Sequence, residues 1–549
     1  MRRPGLTRIV LFAAIGIAAV TTVFLLWTLP PGTVIIPQAP PSTTVFGAYH
    51  IHTNRSDGSG TIDDVARAAA EAQLQFVIVT DHGDATATPE PPSYRHGVLV
   101  IDAVEVSTQE GHVVALGLEG AAPYPLGGEG RDAIEDIRRM GGWAIAAHPD
   151  SDKPDLRWRG PATDGIEWIN ADSEWRDEPP SRVLAAAAQS LIRTPPAIAT
   201  LFDRPATTLR RWDQWARQGP VTGMAAVDAH ARIGIDEREE PRAARTLLAR
   251  PSYLDMFRTL VQAAWLDAPL SGAPGEDAAR VLDALRHGRT YSVVSAIARP
   301  ASLTLTAEAT TLAASVPGAP EADVRIYRGQ DVVAQGSGRA DAANLQPGHY
   351  RVEVYWPGWD VPWMVAGQWI GGPPQTDNIT VRDVSSSSPE RMRVPADRGW
   401  VIEQHPGSRT EWTSESGRTR ATFALGGGRP MGQYAALVHE VPTEIGVDEI
   451  EFDIVASRPM RVSVQVRLPE AMRGERWMRS VYADTTPRRV RVALRDFTPA
   501  ERPVTRTPVS ARIQSLLFVV GWPHTAPGSE GWFDVSNVVL RGPDATSGP

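Results

Sequence analysis

The pattern of apolar and polar positions divides the chain at about residue 300. Between residues 45 and 300, short apolar runs alternate with amphipathic segments. The runs FVIVT (residues 76–80) and GIEWIN (residues 165–170) are typical of buried strands, while residues 62–73 and 278–286 carry apolar side chains at helical spacing. Strands that alternate with helices predict a parallel sheet or barrel in this region.

Beyond residue 300 the helical spacing stops and apolar residues alternate with polar ones. Residues 303–307, 324–327, 350–355 and 363–370 follow this period of two, which predicts a small β-sandwich domain over residues 301–382. A serine run predicts a linker over residues 383–399. Seven or eight short alternating runs then predict a jelly-roll-like β domain over residues 400–549.

The N-terminal residues form a separate segment. Residues 9–27 are 19 uncharged residues, which as a helix span roughly 28 Å and predict a transmembrane helix over residues 9–28. Arg2, Arg3 and Arg8 precede it, so we expect a cytoplasmic N-terminus at residues 1–8 and a globular part outside the cytoplasm, periplasmic or on the cell surface. A cleaved signal peptide is the alternative, although its apolar core is usually shorter. Residues 29–44 are proline-rich and predict a spacer.

Composition narrows the chemistry that this chain can carry out. The chain has no cysteine, which excludes disulfides, thiolate metal sites, cysteine nucleophiles and a lipid anchor on cysteine. Its net charge of −9 argues against a protein that coats nucleic acid, and we expect no stable nucleic-acid complex. Any metal must be held by His, Asp and Glu, which suits manganese, zinc or iron.

Histidines and carboxylates collect at the ends of predicted strands in the α/β region. A lone histidine in such a place is more often an ordinary hydrogen-bonded residue. However, two pairs spaced two apart together with further strand-end imidazoles are hard to reach by chance, and in an α/β barrel the strand ends meet at one face. The set predicts a centre for two or three divalent ions. It consists of His50, His52, Asp57, Asp81, His82, Glu105, His112, His148, Asp228 and His230.

These motifs resemble a known family. HIHTNRSDGSGT, VTDHG, EVSTQEGHVVALG, AAHPD, DGIEWIN and VDAH are similar, in this order, to motifs of the PHP (polymerase and histidinol phosphatase) superfamily of metal-dependent phosphoesterases. The resemblance covers residues 45–300 and implies a distorted (β/α)7 TIM-like barrel with three metals. It implies that His50, His52, Glu105 and Asp228 hold the first ion, that Glu105 with His112 and His148 holds the second, and that Asp57, His82 and His230 hold the third.

The resemblance implies hydrolysis of a phosphate ester. Paired ions activate a water and neutralise the phosphate oxygens, so no covalent nucleophile is needed. The expected catalytic residues are Glu105, His148, Asp228 and Asp81. Asp81 would orient a ligand histidine, and a helix N-cap is the equal alternative. Four cations near the motifs are candidates to bind the phosphate, although each is also explained as a solvated loop charge: Arg55, Lys153, Arg157 and Arg159.

Three functions remain open from the sequence. The first is hydrolysis of a phosphorylated small molecule, glycan or nucleotide outside the cytoplasm. The second is a nucleoside-bisphosphate phosphatase or 5'-3' exonuclease-like activity. The third is a non-catalytic protein that binds cell-envelope polysaccharide through its β domains. Aromatic residues of the last domain would stack on sugars in that case, although most Trp residues in a sandwich are core. They are Trp400, Trp412, Tyr434, Trp477, Tyr482, Trp522 and Trp532.

Overall fold

The computed structural model describes residues 15–16, 19–20, 22–23, 27–231, 233–235, 245–248, 251–371, 389–429, 432–442, 445–469, 474–500 and 511–542. Within these residues, no helix is both long and apolar enough to span a bilayer. Much of the predicted transmembrane segment lies outside the described residues. The chain forms two compact units. Unit one comprises Met1–Gly83, Pro89–Glu119 and Ile137–Thr376, and unit two comprises Asp84–Thr88, Gly120–Asp136 and Asp377–Pro549.

The α-helices described after residue 29 all lie before residue 300, as the apolar spacing predicts. The first has a capping box, in which the Thr61 hydroxyl and the Asp64 carboxylate bond to each other's backbone N–H. The helices are α1 Ile62–Glu71, α2 Gly130–Arg139, α3 Ala171–Arg176, α4 Pro180–Ala199, α5 Ala206–Ala216, α6 Tyr253–Phe257 and α7 Pro274–Arg286.

Unit one contains twenty-two strands among the described residues. They are β1 Val34–Ile35, β2 Thr44–Tyr49, β3 Phe76–Val79, β4 Ser93–Arg95, β5 Val98–Asp102, β6 Val104–Thr108, β7 Gly111–Leu116, β8 Trp143–Ala146, β9 Gly165–Asn170, β10 Thr222–Ala226, β11 Ile233–Ile235, β12 Arg245–Leu248, β13 Val261–Trp265, β14 Thr290–Val293, β15 Ala298–Arg299, β16 Thr304–Glu308, β17 Thr311–Ser315, β18 Asp323–Arg328, β19 Asp331–Ser337, β20 Arg339–Ala342, β21 Gly348–Tyr355 and β22 Met364–Ile370.

Two sheets of unit one surround a common core. One is ordered β10-β9-β8-β7-β6, and the other contains β13-β2-β3-β5-β4. Parallel bridges join them at both edges, between Ile51 and Ala229 and between His82 and Glu105. The regular alternation predicted for a (β/α)7 barrel is only partly present, because β6, β7 and β8 pair antiparallel and no helix separates β8 from β9. Apolar side chains from both sheets, among them Phe76 and Ile145, form the core.

The predicted boundary at residue 300 does not appear as a break in the sheet. The larger sheet has ten strands in the order β19-β18-β21-β22-β14-β13-β2-β3-β5-β4, so the strands assigned to a small sandwich extend the sheet of the α/β region. The link is the antiparallel pairing of Ser292 and Val293 in β14 with Val365 and Met364 in β22. Residues 45–83, 89–119 and 137–371 therefore belong to one compact unit. The separate domain is predicted over residues 301–382 because the spacing of apolar residues changes there from helical to a period of two. The same change occurs where strands follow helices within a single mixed sheet, as they do here.

Unit two contains the strands β23 Glu390–Arg393, β24 Trp400–Gln404, β25 Arg409–Glu415, β26 Arg418–Ala424, β27 Tyr434–Glu440, β28 Gly446–Val447, β29 Glu449–Ala456, β30 Met460–Arg467, β31 Arg476–Ala483, β32 Arg488–Ala493, β33 Thr498–Pro499, β34 Ala511–Arg512, β35 Ser515–Gly521 and β36 Glu530–Arg541, with a 3-10 helix at Leu494–Asp496. Two six-stranded sheets, β25-β26-β36-β29-β32 with β23 beside β36 and β24-β27-β35-β30-β31-β33, enclose an apolar core. This is a two-sheet β-sandwich, as the alternating pattern predicts.

Unit two differs from the sequence expectation at the predicted linker, and its aromatic residues follow the expectation that most of them are core. Residues 390–393 lie in the predicted linker but form a strand that pairs with β36, and Met392 packs against the core. Most of the candidate sugar-stacking aromatics are also occupied within the protein. Trp400 and Trp477 are buried in the core, and Arg420 covers the ring of Trp532 at 3.9 Å. Trp522 is 53% exposed.

Candidate metal centre

The first pair of histidines lies just beyond β2. His50 and His52 are expected near the end of a strand, and β2 ends at Tyr49, where His50 follows with a φ of 68°. This left-handed conformation costs about 1–3 kcal/mol for a residue with a side chain. The two rings nevertheless converge, with their Nε2 atoms 3.1 Å apart and both side chains fully buried.

Glu105 lies at the centre of the cluster. It was expected to end the strand before it, but β5 ends at Asp102 and Glu105 belongs to β6. Its Oε1 atom is 2.9 Å from His112 Nδ1 and 2.8 Å from His148 Nε2. Its Oε2 atom is 3.3 Å from the Nε2 atoms of His50 and His52 and 3.1 Å from His82 Nδ1.

The short hairpin β6–β7 explains why Glu105 and His112 meet. Ser107 pairs with His112 across the hairpin and Glu105 pairs with Val114, so Glu105 and His112 are diagonal neighbours on one face. The next strand, β8, ends at Ala146, and His148 follows it with a φ of 29°. The ends of three consecutive strands thus supply one carboxylate and two imidazoles.

A second carboxylate closes the cluster on the other side. Asp228 follows β10 with a φ of 42°, and its Oδ1 atom is 3.5 Å from His50 Nε2 and 3.4 Å from His52 Nε2. His230 stacks on His52 with ring centroids 4.3 Å apart, and its Nε2 atom is 3.1 Å from Asp57 Oδ2. The side chains of Asp57, His82 and His230 are 21–32% exposed, so this side of the cluster faces solvent.

The donor set fits divalent metal ions. The side chains form four groups of three, and within each group the ligand atoms lie within 4.8 Å of one another. The groups are His50, Glu105 and His148; His50, His52 and Asp228; His52, Asp57 and His82; and His82, Glu105 and His112. Asp228 Oδ1 is buried and has no hydrogen-bond partner among the described residues, as expected for an atom that faces a cation. The chain therefore presents His and carboxylate clusters that can hold metal ions. The division of the nine residues among three ions stays a prediction.

The charges of these clustered side chains also favour a metal site. Burial disfavours the ionised form of Glu105, but the charges of His82, His50 and His112 outweigh it and hold the pKa of Glu105 well below its usual value. Burial lowers the pKa of His82 to about 4. Burial also opposes the charge on His230, yet its hydrogen bond to Asp57 raises the pKa of His230 to about 9. The carboxylates and imidazoles of the cluster thus interact strongly with one another.

Asp81 holds the loop that carries Asp57. Its carboxylate accepts hydrogen bonds from the Thr53 backbone N–H at 2.7 Å, the Ser56 hydroxyl at 2.5 Å and Arg55 Nε at 2.9 Å. No described helix begins directly after Asp81, and the next one along the chain is α2 at Gly130. The N-cap alternative therefore has no support. A side chain at Gly58 would meet the carbonyl oxygen of His52 at 2.1 Å, which explains the glycine in this loop.

The four candidate phosphate-binding cations lie in different surroundings. Arg55 contacts the carboxylates of Asp81, Asp102 and Glu90, which favours a structural role in the loop over the expected contact with phosphate. Arg157 donates to the carbonyl oxygen of Ser151 at 2.6 Å, and Arg159 lies near the carbonyl oxygen of Gln109. The pKa of Lys153 lies below its usual value, because burial and then the charge of Arg176 lower it by more than the charges of Asp172 and Asp228 raise it. The role of these residues in binding phosphate stays a prediction.

The sequence pattern missed two residues, Glu167 and Asn170 of β9. Glu167 Oε1 is 2.6 Å from His50 Nδ1, and Asn170 donates to Asp228 Oδ2 at 3.1 Å. Their signal is present in GIEWIN, where a carboxylate and an amide interrupt a strand whose six residues are all buried. Buried polar side chains of this kind require partners.

Comparison with known proteins finds an archaeal relative of this chain. No family model matches the chain. An uncharacterized protein of Methanocaldococcus jannaschii is 30% identical over 140 residues, which cover 22% of this chain and 80% of that protein. The chain belongs to the same family as this archaeal protein.

Two solved structures resemble parts of the chain. A two-domain protein of Bacteroides vulgatus that contains a predicted PHP-like metal-dependent phosphoesterase is 12% identical, covers 62% of this chain and 99% of its own, and has a TM-score of 0.31. A family 11 carbohydrate-binding module of a Clostridium thermocellum cellulosomal cellulase is 17% identical, covers 29% of this chain and 96% of its own, and has a TM-score of 0.23. Both TM-scores are below 0.5, so the function proposed for this chain depends on its own residues.

Proposed function

We propose that this protein is a metal-dependent phosphoesterase whose centre is built from the nine His, Asp and Glu residues named above. The observation that carries the proposal is the position of Glu105, whose two carboxylate oxygens face two different sets of imidazoles. A carboxylate in that position is suited to hold two cations close together. Such ions, when bound, activate water and neutralise a phosphate.

The surrounding residues suit this chemistry in three ways. Glu105, His50 and His52 are almost fully buried, so they can hold ions in a fixed arrangement. Asp57, His82 and His230 are partly exposed, so a phosphate can approach from their side. Asp81 fixes the loop of Asp57 through hydrogen bonds and so keeps that carboxylate near His82 and His230.

The proposed test uses the full-length protein in detergent, reloaded with Mn²⁺ or Zn²⁺ after chelation. The panel contains an aryl phosphomonoester, a bis-aryl phosphodiester, sugar phosphates and nucleoside bisphosphates, so that monoesterase, diesterase and nucleotide activities are separated. We expect hydrolysis that is abolished by chelator and restored by metal. Protein that carries metal but hydrolyses no ester of the panel would contradict the proposal and favour the glycan-binding alternative.

We also propose that a helix at the N-terminus anchors the protein in a membrane, with its globular part outside the cytoplasm. The uncharged run of residues 9–27 and the arginines before it support this orientation. In the described part of this run, Val20, Val23 and Trp27 are exposed apolar residues. A reporter fused after the last residue should be active outside the cytoplasm and sediment with membranes. A soluble cytoplasmic fusion would contradict this topology.

A further inference from the structure

Three residues of the proposed centre share an unusual backbone. His50, His148 and Asp228 follow the strands β2, β8 and β10, and their φ angles are 68°, 29° and 42°. Residues with a side chain seldom adopt this left-handed region, and they persist there only where the surroundings hold them. Each of these three residues therefore requires contacts that hold its backbone in this conformation.

Glu167 and Asn170 contact all three of these residues. Glu167 Oε1 is 2.6 Å from His50 Nδ1, and Glu167 Oε2 accepts the backbone N–H of His148 at 2.7 Å. The Asn170 amide donates to Glu167 Oε2 at 2.9 Å and to Asp228 Oδ2 at 3.1 Å. Both side chains are buried, at 1% and 3% exposure.

A bulge in β9 brings the two side chains to one face. Residues three apart in a regular strand point to opposite faces. The register of β9 against β10 shifts so that Glu167 pairs with Met224 and Ile169 pairs with Ala225, which leaves Trp168 as the extra residue. Such a bulge re-aims the side chains beyond it. The strand GIEWIN thus presents its carboxylate and its amide together beneath the proposed ligands.

We infer that Glu167, supported by Asn170, is the positioning residue of the metal centre. Its carboxylate accepts the Nδ1 proton of His50, which leaves Nε2 of that ring free to face Glu105 and Asp228. The same carboxylate holds the backbone turn at His148, and Asn170 orients Asp228. The inference rests on the proposed metal centre, because a carboxylate that fixes a ligand's tautomer and angle matters most when an ion is bound.

The substitution Glu167→Gln separates this role from simple burial. Glutamine has one carbonyl oxygen, so it cannot accept from both His50 Nδ1 and the backbone N–H of His148. If its amide nitrogen faces His50, the ring must carry its proton on Nε2 and cannot ligate through that atom. If its amide nitrogen faces His148, two donors oppose each other. Either orientation disturbs a proposed ligand while the size of the side chain is kept.

A matched control is present in the adjoining helix. Glu174 of α3 is also buried, and it accepts the backbone N–H of Asp203 at 3.1 Å but contacts no proposed ligand among the described residues. Burial raises the pKa of Glu174 well above its usual value. Glutamine at this position keeps a carbonyl oxygen that can accept the backbone N–H of Asp203, so we expect Glu174→Gln to change little. Asn170→Ala is the intermediate variant, because it keeps the carboxylate of Glu167 but removes the hydrogen bonds of Asn170 to Asp228 and Glu167. It also removes the N-cap of α3, in which Asn170 Oδ1 accepts the backbone N–H groups of Asp172 and Ser173, so its free energy of unfolding is compared as well.

The experiment measures the affinity of the full-length chelated protein and its variants for Mn²⁺ and Zn²⁺ by competition with a metal indicator. Circular dichroism and the free energy of unfolding of the metal-free proteins are measured on the same samples. We expect about 10–100-fold weaker binding in Glu167→Gln, a smaller loss in Asn170→Ala and wild-type affinity in Glu174→Gln. A purely structural role for Glu167 would lower stability without this specific loss of affinity.

The outcomes separate the inference from the proposed function. If the wild-type protein binds no metal, the proposed function fails. If the wild-type protein binds metal and His50→Asn weakens it while Glu167→Gln does not, only the positioning role is overturned. Should Glu167→Gln not fold, Asn170→Ala decides, and unchanged affinity in that variant would overturn the inference.

Discussion

Substitution of Glu105 by glutamine is the most informative perturbation of the centre. Glu105 belongs to two of the four ligand groups, with His50 and His148 and with His82 and His112. Each group has three members, and one of the two groups would lose a member, because a single amide oxygen can serve only one side. The other group would keep a neutral oxygen in place of a charged one and should bind its ion more weakly. The substitution keeps the volume of the side chain, so the core of unit one should be preserved.

The expected magnitude follows from the removal of a direct metal ligand. Loss of a residue that merely orients a ligand costs about 10–100-fold in metal affinity, so loss of a direct ligand should cost about 100-fold or more in the group that loses it. That factor corresponds to about 2.8 kcal/mol per ion. Hydrolysis of a phosphate ester should then fall by about 1000-fold, since the electrostatic stabilisation is lost together with metal occupancy.

The assay measures metal stoichiometry, hydrolysis of an aryl phosphate and circular dichroism on one sample. Glu119→Gln serves as the control, because Glu119 is an exposed glutamate of the same unit. The reasoning would be refuted by a Glu105→Gln protein with full metal occupancy and wild-type turnover. A folded variant that binds metal weakly and hydrolyses slowly would support the shared position of Glu105.

Three further perturbations test other parts of the account. Lys153→Gln should raise KM severalfold with little change in kcat, because the charge of Lys153 interacts with Asp228. Arg55→Gln should instead lower metal affinity, because Arg55 contacts Asp81 in the loop that carries Asp57. Equal changes of KM for both variants, measured by steady-state kinetics alongside metal titration, would contradict this. Burial, and then the charge of Arg351, lower the pKa of His349 to about 3. Below about pH 6.5 the unfolded chain therefore binds a proton that the folded chain does not. The free energy of unfolding should fall by about 2 kcal/mol between pH 7 and pH 5 for this reason. Urea unfolding of His349→Phe should show a smaller loss than wild type, and His287→Phe, at an exposed histidine, should not. Arg461→Met should destabilise unit two by about 3–5 kcal/mol, because it leaves the buried Asp132 and Asp136 without this guanidinium; thermal unfolding identical to wild type would rule this out.

Local sequence pattern was sufficient to locate the elements that carry the centre. The buried runs of β3 and β9 and the helix α1 are signalled by residues adjacent in sequence, and the structure places them at the positions that the pattern predicts. The nine proposed ligands converge because each follows or begins a strand whose neighbours were inferred from alternating strands and helices. Spacing along the chain therefore predicted that these side chains lie close together, and their role as metal ligands stays a prediction.

Features that depend on distant pairing could not be predicted from the sequence. The pairing of β14 with β22 joins residues 292–293 to residues 364–365, and nothing local signals it. The bulge at Trp168 reverses the face of Asn170, whereas a strict period of two separates Asn170 from Glu167. The membership of Gly120–Asp136 in unit two depends on residues such as Arg461, which lies more than 300 positions away and pairs with Asp136.

The number of metal ions bound per chain tests the central claim most directly. Full-length protein purified without chelator, and the same protein after chelation and reloading, would be measured by elemental analysis alongside the double variant His50→Asn, His52→Asn. The account predicts two or three divalent ions per chain in the wild type and at least one fewer in the double variant. A wild-type chain that is folded and holds no divalent ion after reloading would contradict it.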